Sequence, residues 1–156
     1  MSLDRKAPPA GFHWPVRVYF EDTDAGGVVY HATYLRFLER ARTEWLRALG
    51  FEQDRLRAKQ GVLFVVRRLT IDYVRPARFN DRLRVTTSLC GCGQASFDFA
   101  QAVLNDDHGG VCCRASVSVA CVDGERMRPT RVPKDILHAL SGAPSGSVQP
   151  EVVDGI

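Results

Sequence analysis

Two aspartates one residue apart, a glycine pair and a histidine crowd into the segment Glu21–His31, EDTDAGGVVYH. Asp22 and Asp24 each supply a carboxylate able to attack carbon or to take a proton from water. The paired Gly26 and Gly27 let backbone approach a ligand closely. His31 brings an imidazole that donates or accepts a proton. Acids in glycine-rich turns also cap helices and hold turns, and that plainer role competes for each of them. Neither a G-x-S-x-G serine elbow nor a metal-ligand spacing is present. The histidines His13, His31, His108 and His138 are scattered.

Position decides between these roles, and a helix follows the segment at once. From about Tyr30 the apolar residues Tyr34, Leu35, Leu38, Ala41, Trp45, Ala48 and Leu49 recur at three- and four-residue spacing, with Gly50 as the stop. Its first turn presents orphan amides and a positive dipole end, suited to a developing oxyanion. Phe37 and Leu46 widen the apolar stripe, so a sheet should grip this helix over much of its circumference. A strand over Trp14–Phe20 should precede the turn, and a short helix over Gln53–Lys59 should follow the long one.

After Gly61 the period becomes two. Leu63, Val65, Leu69, Ile71 and Tyr73 mark one strand, and Leu83, Val85, Thr87 and Leu89 the next. Phe97, Phe99, Gln101 and Val103 mark a third. Val111, Cys113, Ala115, Val117, Val119 and Cys121 mark a fourth. Short turns join the last three, which predicts an antiparallel meander and an α+β chain. One helix cannot hide both edges of such a sheet, so a homodimer or homotetramer joined through a strand edge is expected.

Composition bounds the rest. The 156 residues fit one domain, spanning 12–140 between Pro-, Gly- and Ser-rich tails at 1–11 and 141–156. A net charge of +3 from 21 basic and 18 acidic residues is small for a nucleic-acid binder, and no aromatic-and-basic stacking pattern accompanies it. No signal peptide and no membrane span are visible. Five cysteines without C-x-x-C spacing read as reduced, mostly buried thiols, which points to the cytoplasm.

The run EDTDAGGVVYHATYLRFLERARTEWL resembles the signature of the 4-hydroxybenzoyl-CoA thioesterase family, most closely its YbgC-type branch, associated with the Tol-Pal cell-envelope system. Matching segments continue through VVRRLTIDYVRPARFNDRL, VSVACVD and RMRPTRVPKDI, so the likeness spans roughly Phe12–Leu140. It implies a hotdog fold, a long helix wrapped by a curved antiparallel sheet of about five strands, paired into dimers and often tetramers. It makes Asp24 the catalytic acid, as nucleophile or general base, and puts the amide that polarises the thioester carbonyl at His31, whose side chain joins the active set. Phe20, Gly26, Gly27, Val28, Tyr30 and Arg75 become candidates for binding substrate. The branch tends to carry tyrosine four residues before the aspartate, where this chain has Phe20 with Tyr19 beside it.

The resulting expectation is an acyl-CoA thioesterase for short-chain, medium-chain or aromatic acyl groups. It needs no cofactor, because coenzyme A is part of the substrate. A spare site suffices, since a thiolate with a pKa of roughly 8.5 leaves without much acid assistance. The alternative is a non-hydrolytic protein of the same fold that binds acyl carrier protein or serves as an envelope scaffold. A dehydratase of this fold is disfavoured by the motif context. Glu39 and Glu44 on the long helix are expected in ion pairs. Arg67, Arg68, Arg75 and Arg78 could meet the phosphates of coenzyme A, but a solvated face is the expectation for them, and Phe97 and Phe99 are expected in the core.

Overall fold

The computed structural model describes residues 11–142. The expected N-terminal tail, apart from Gly11, and the C-terminal tail beyond Gly142 lie outside the described residues. In chain order the elements are β1 (Phe12–Arg17), a 3-10 turn (Phe20–Asp22), α1 (Thr33–Ala48), α2 (Gln53–Gln60), β2 (Val62–Tyr73), β3 (Arg82–Cys92), β4 (Ser96–Asn105), β5 (Val111–Asp123) and α3 (Lys134–Gly142). The five strands form one sheet in the order β1-β3-β4-β5-β2, antiparallel throughout. β3, β4 and β5 are the predicted meander, and α1 lies across β1, β3 and β4. This is the hotdog arrangement.

The alternating side chains of the strands meet the apolar stripe of α1 in one core. Phe37, Leu38, Ala41, Trp45 and Leu46 pack against Leu83, Val85, Phe97, Phe99, Val103 and Val117. Apolar burial of this kind supplies the main driving force for folding. One buried polar hub crosses the core. Gln101 donates from Nε2 to the Leu38 carbonyl (3.0 Å) and to Thr87 Oγ1 (2.8 Å), and its Oε1 accepts from Arg42 at 3.0 Å. The amide group thereby fixes where along the sheet α1 sits, because leaving any of these groups unpaired in the core is costly.

Bulges bend the sheet around the helix. In β2 one extra residue, Arg67, interrupts the register between Val66 and Arg68. This corrects the single alternating phase read from the sequence. Val62, Phe64 and Val66 face the helix side before the bulge, and Leu69 and Ile71 after it, rather than Leu63 and Val65. A one-residue insertion exchanges the two faces of a strand, so no uniform alternation could reveal it. Further irregularities lie between Leu89 and Gly91 in β3 and beside Val103 in the β4–β5 ladder.

Other expectations need adjustment. The first strand ends at Arg17 rather than Phe20, because the Asp22 carboxylate accepts the Tyr19 amide (2.8 Å) and winds the next residues into a turn. The long helix begins at Thr33 rather than near Tyr30, whose amide is held by the Asp22 carbonyl at 2.9 Å. α3 was not anticipated, although Ile136 and Leu140, both buried, stand four apart just after Pro133. Its last residues, Ser141 and Gly142, fall in what was read as tail. Of the cysteines, Cys112, Cys113 and Cys121 are buried, but Cys90 and Cys92 are exposed. Cys90 falls at the β3 irregularity and Cys92 ends that strand, so neither reaches the core.

Candidate active site

Asp24 opens a tight loop whose bonds can be followed atom by atom. Its amide donates to the Val28 carbonyl (2.9 Å), and its carbonyl accepts the Gly27 amide (3.0 Å). Its carboxylate Oδ1 accepts the Gly26 amide at 2.8 Å. The Thr23–Val29 bridge closes the loop at its base. Gly27 has φ +78°, a left-handed conformation that a side chain would strain. A Cβ on Gly26 would lie 3.2 Å from Asp24 Oδ1. Both glycines therefore have local reasons to be there, and together they leave Oδ2 of Asp24 without a protein donor among the described residues.

The loop is braced from the opposite side by the segment after β2. The Val29 amide donates to the Ala77 carbonyl (2.8 Å), and Val28 bridges Arg78. That segment is fixed in turn by the buried Asp81. Its Oδ2 accepts the Arg78 amide and Asn105 Nδ2, each at 2.9 Å, and His108 Nε2 lies 3.2 Å from its Oδ1. The Ala77 amide donates to the Tyr34 hydroxyl at 3.0 Å. Burial pushes that phenol up to about 12, although the Ala77 amide acts in the opposite sense.

His31 stands exposed where the loop meets α1. Its ring lies 4.5 Å from that of Tyr30 and 6.4 Å, edge to face, from that of Tyr73. Its carbonyl accepts the Tyr73 hydroxyl at 2.7 Å. The Thr33 amide donates to Tyr30 and the Leu35 amide to Ala32, so the first turn is wound tightly. The amides of His31 and Ala32 have no protein acceptor among the described residues. The loop and the helix start, tied by the bond from the Tyr30 amide to the Asp22 carbonyl, therefore carry a carboxylate held by one oxygen, an imidazole and unused amide donors. No hydrogen bond joins Asp24 to His31.

The remaining candidates separate. Phe20 is 80% exposed and meets the ring of Phe79, itself 53% exposed, edge to face. Tyr30 is exposed beside His31. Arg75 points elsewhere: its guanidinium lies against Gly110 in the β4–β5 turn, and its amide donates to the Cys112 carbonyl at 3.2 Å. Glu44 pairs with Arg47 as expected, whereas Glu39 accepts from the Thr43 hydroxyl at 3.0 Å. Phe97 and Phe99 are buried and also wall a cleft of about 110 Å³ with Glu39, Arg42, Phe64 and Val66, a cleft that includes neither Asp24 nor His31. Sequence reasoning missed Tyr34, Tyr73 and Asp81. Their periodicity places Tyr34 and Tyr73 on elements, but nothing local says where a hydroxyl or carboxylate will find its partner.

Comparison with known proteins defines the class. The model of the thioesterase-like superfamily matches residues 18–140, and the chain belongs to that superfamily. Within it the likeness is to acyl-CoA thioesterases of the YbgC type. The chain is 48% identical over 126 residues to the acyl-CoA thioester hydrolase YbgC of Escherichia coli O6:H1, covering 81% of this chain and 92% of that relative. A solved probable thioesterase from Bartonella henselae is 37% identical, with a TM-score of 0.73 over 78% of this chain and 98% of its own. A 4-hydroxybenzoyl-CoA thioesterase variant complexed with 4-hydroxybenzoyl-CoA shares the fold at a TM-score of 0.77, over 82% of this chain and 96% of its own, with 21% identity.

Proposed function

We propose that the chain hydrolyses acyl-CoA thioesters of short-chain, medium-chain or aromatic acids, with Asp24 as the catalytic carboxylate. The observation that carries this reading is the pairing of a half-bonded aspartate with the unused amides of a helix start. In the proposed reaction the thioester carbonyl lies between them, its oxygen toward the helix. As negative charge develops on that oxygen, the amides and the helix dipole stabilise it. Asp24 either attacks the carbonyl carbon, giving an anhydride that water opens, or takes a proton from the attacking water. In both routes the C–S bond breaks, the coenzyme A thiolate leaves, and water supplies the oxygen and protons of the products. His31, beside the same carbonyl position, serves proton transfer or polarisation. Gly26, Gly27 and Val28 shape the loop, while Phe20 and Tyr30 offer apolar surface to the substrate.

The assembly proposed with this reaction is a homodimer or homotetramer whose sites lie at subunit boundaries. Two features support it. Phe20, Tyr30, Tyr73, Val74 and Phe79 leave apolar surface open around the site of a single chain. β2 also carries an outer edge of 12 residues, long enough to pair with another strand. No described helix is long and apolar enough to cross a membrane. A cytoplasmic setting suits the exposed free thiols of Cys90 and Cys92, which a reducing compartment keeps from oxidation.

Asp24→Asn against Asp22→Asn is the deciding comparison. The amide keeps the shape of Asp24 but can neither attack carbon nor act as base, so turnover should fall by roughly two or more orders of magnitude while the protein stays folded. Asp22, whose carboxylate holds the Tyr19 amide, should instead lower the melting temperature. A folded Asp24→Asn protein with ordinary thiol release from benzoyl-CoA and butyryl-CoA would remove the assignment.

A further inference from the structure

The carbonyl of His31 has one protein donor among the described residues, the hydroxyl of Tyr73 at the end of β2. No backbone amide reaches it, because the Leu35 amide turns to Ala32 instead. An exposed phenol 42 residues downstream thus takes over a carbonyl at the very point where the helix offers its unused amides. The rest of the Tyr73 side chain has contacts of its own, since its ring meets the edges of Tyr34 at 5.7 Å and His31 at 6.4 Å. The hydroxyl can therefore be removed without emptying the ring's place.

We infer that Tyr73 is a positioning residue for the reaction, acting through the backbone of His31 rather than on substrate. A trans peptide is planar, so its carbonyl and amide point in opposite directions, and anchoring the His31 oxygen fixes the direction of the Ala32 amide. A hydrogen bond to the oxygen of a peptide also polarises the amide hydrogen of that same peptide, strengthening it as a donor. Tyr73 in this way both aims and strengthens a donor at the helix start. It also restrains the backbone of His31. The inference rests on the proposal that this helix start receives the thioester oxygen.

The test is Tyr73→Phe in the full-length protein, alone and combined with His31→Ala, assayed with benzoyl-CoA and butyryl-CoA. Weakening an oxyanion donor costs less than deleting one, so kcat should fall about tenfold with KM within about twofold. The melting temperature should stay within about 2 °C, since no core contact is lost. In isotope-labelled protein the His31 carbonyl carbon and the Ala32 amide should both change chemical shift. Because the route is through the backbone, the same fall in kcat should recur in the His31→Ala background. The inference is overturned if folded Tyr73→Phe keeps its kcat, if the loss lies in KM, or if it disappears once the imidazole is gone. Asp24→Asn run alongside separates the two failures. An inactive Asp24→Asn with an unaffected Tyr73→Phe removes only the role of Tyr73, whereas an active Asp24→Asn removes the reading of the site itself.

Discussion

At the scale of single residues, the loop shows two glycines with different reasons for being glycine. Gly27 needs its left-handed backbone, whereas Gly26 needs only space beside the Asp24 carboxylate. Their alanine variants should therefore fail differently. Gly27→Ala should lower stability by about 1–2 kcal/mol, the cost of a Cβ in that conformation. Gly26→Ala should fold at nearly the ordinary temperature but turn over more slowly, because its methyl crowds the oxygen that accepts the Gly26 amide. Melting curves beside thiol-release rates would distinguish them, and equal losses in both measurements for the two variants would refute this division. Asp22 and Asp24 divide in the same way: one carboxylate closes on a neighbouring amide, and the other keeps an oxygen free.

Among the elements, β2 does most to shape the molecule, and its bulge has a simple numerical consequence. Removing Arg67 would leave Val62, Phe64, Val66, Leu69, Ile71 and Tyr73 in one unbroken alternation, with the ladder to β5 still in register. Deletion of Arg67 should accordingly be tolerated at about 1–2 kcal/mol, through lost curvature alone. Deletion of Val65 together with Arg67 leaves no extra residue to absorb the shift, would turn Val62 and Phe64 away from the helix and should prevent folding. Urea titration of the two deletion variants provides the measurement, and unfolding of both would show that the bulge is needed for the sheet to close on α1. Helix α1 depends on the sheet in turn, since the Gln101 hub ties its Leu38 and Arg42 to β4 and β3.

For the whole molecule, burial separates the cysteines into two groups. Desolvation pushes Cys112 and Cys121 up to about 11 and Cys113 up to about 12. A raised thiol stays protonated, and unreactive, until the pH approaches that value. At pH 8 a disulfide reagent should therefore label Cys90 and Cys92 in the native protein and the other three only after denaturation. Five fast equivalents from native protein would contradict the packing of β5. The proposed assembly makes a second statement at this scale. Light scattering should give a mass of two or four chains at micromolar concentration, and a stable monomer would show that the apolar surface around Asp24 is covered in some other way.

Much of this was written in local sequence. The period-two strands, the amphipathic α1 and the turn chemistry of Asp22 to Gly27 follow from residue type and spacing, because each is set by neighbours within a few positions, and the superfamily was legible as a resemblance carried by motifs spread from Phe12 to Leu140. Tertiary structure alone decided the rest. The bulge at Arg67 exists because β2 must follow a curved partner, and α3 because Ile136 and Leu140 find a core to enter. Arg75 turns to Gly110, and Tyr73 to His31, across 35 and 42 positions of sequence. Local pattern tells which face of an element is apolar, but a hydrogen bond between distant segments is fixed only when the packed sheet brings donor and acceptor within reach.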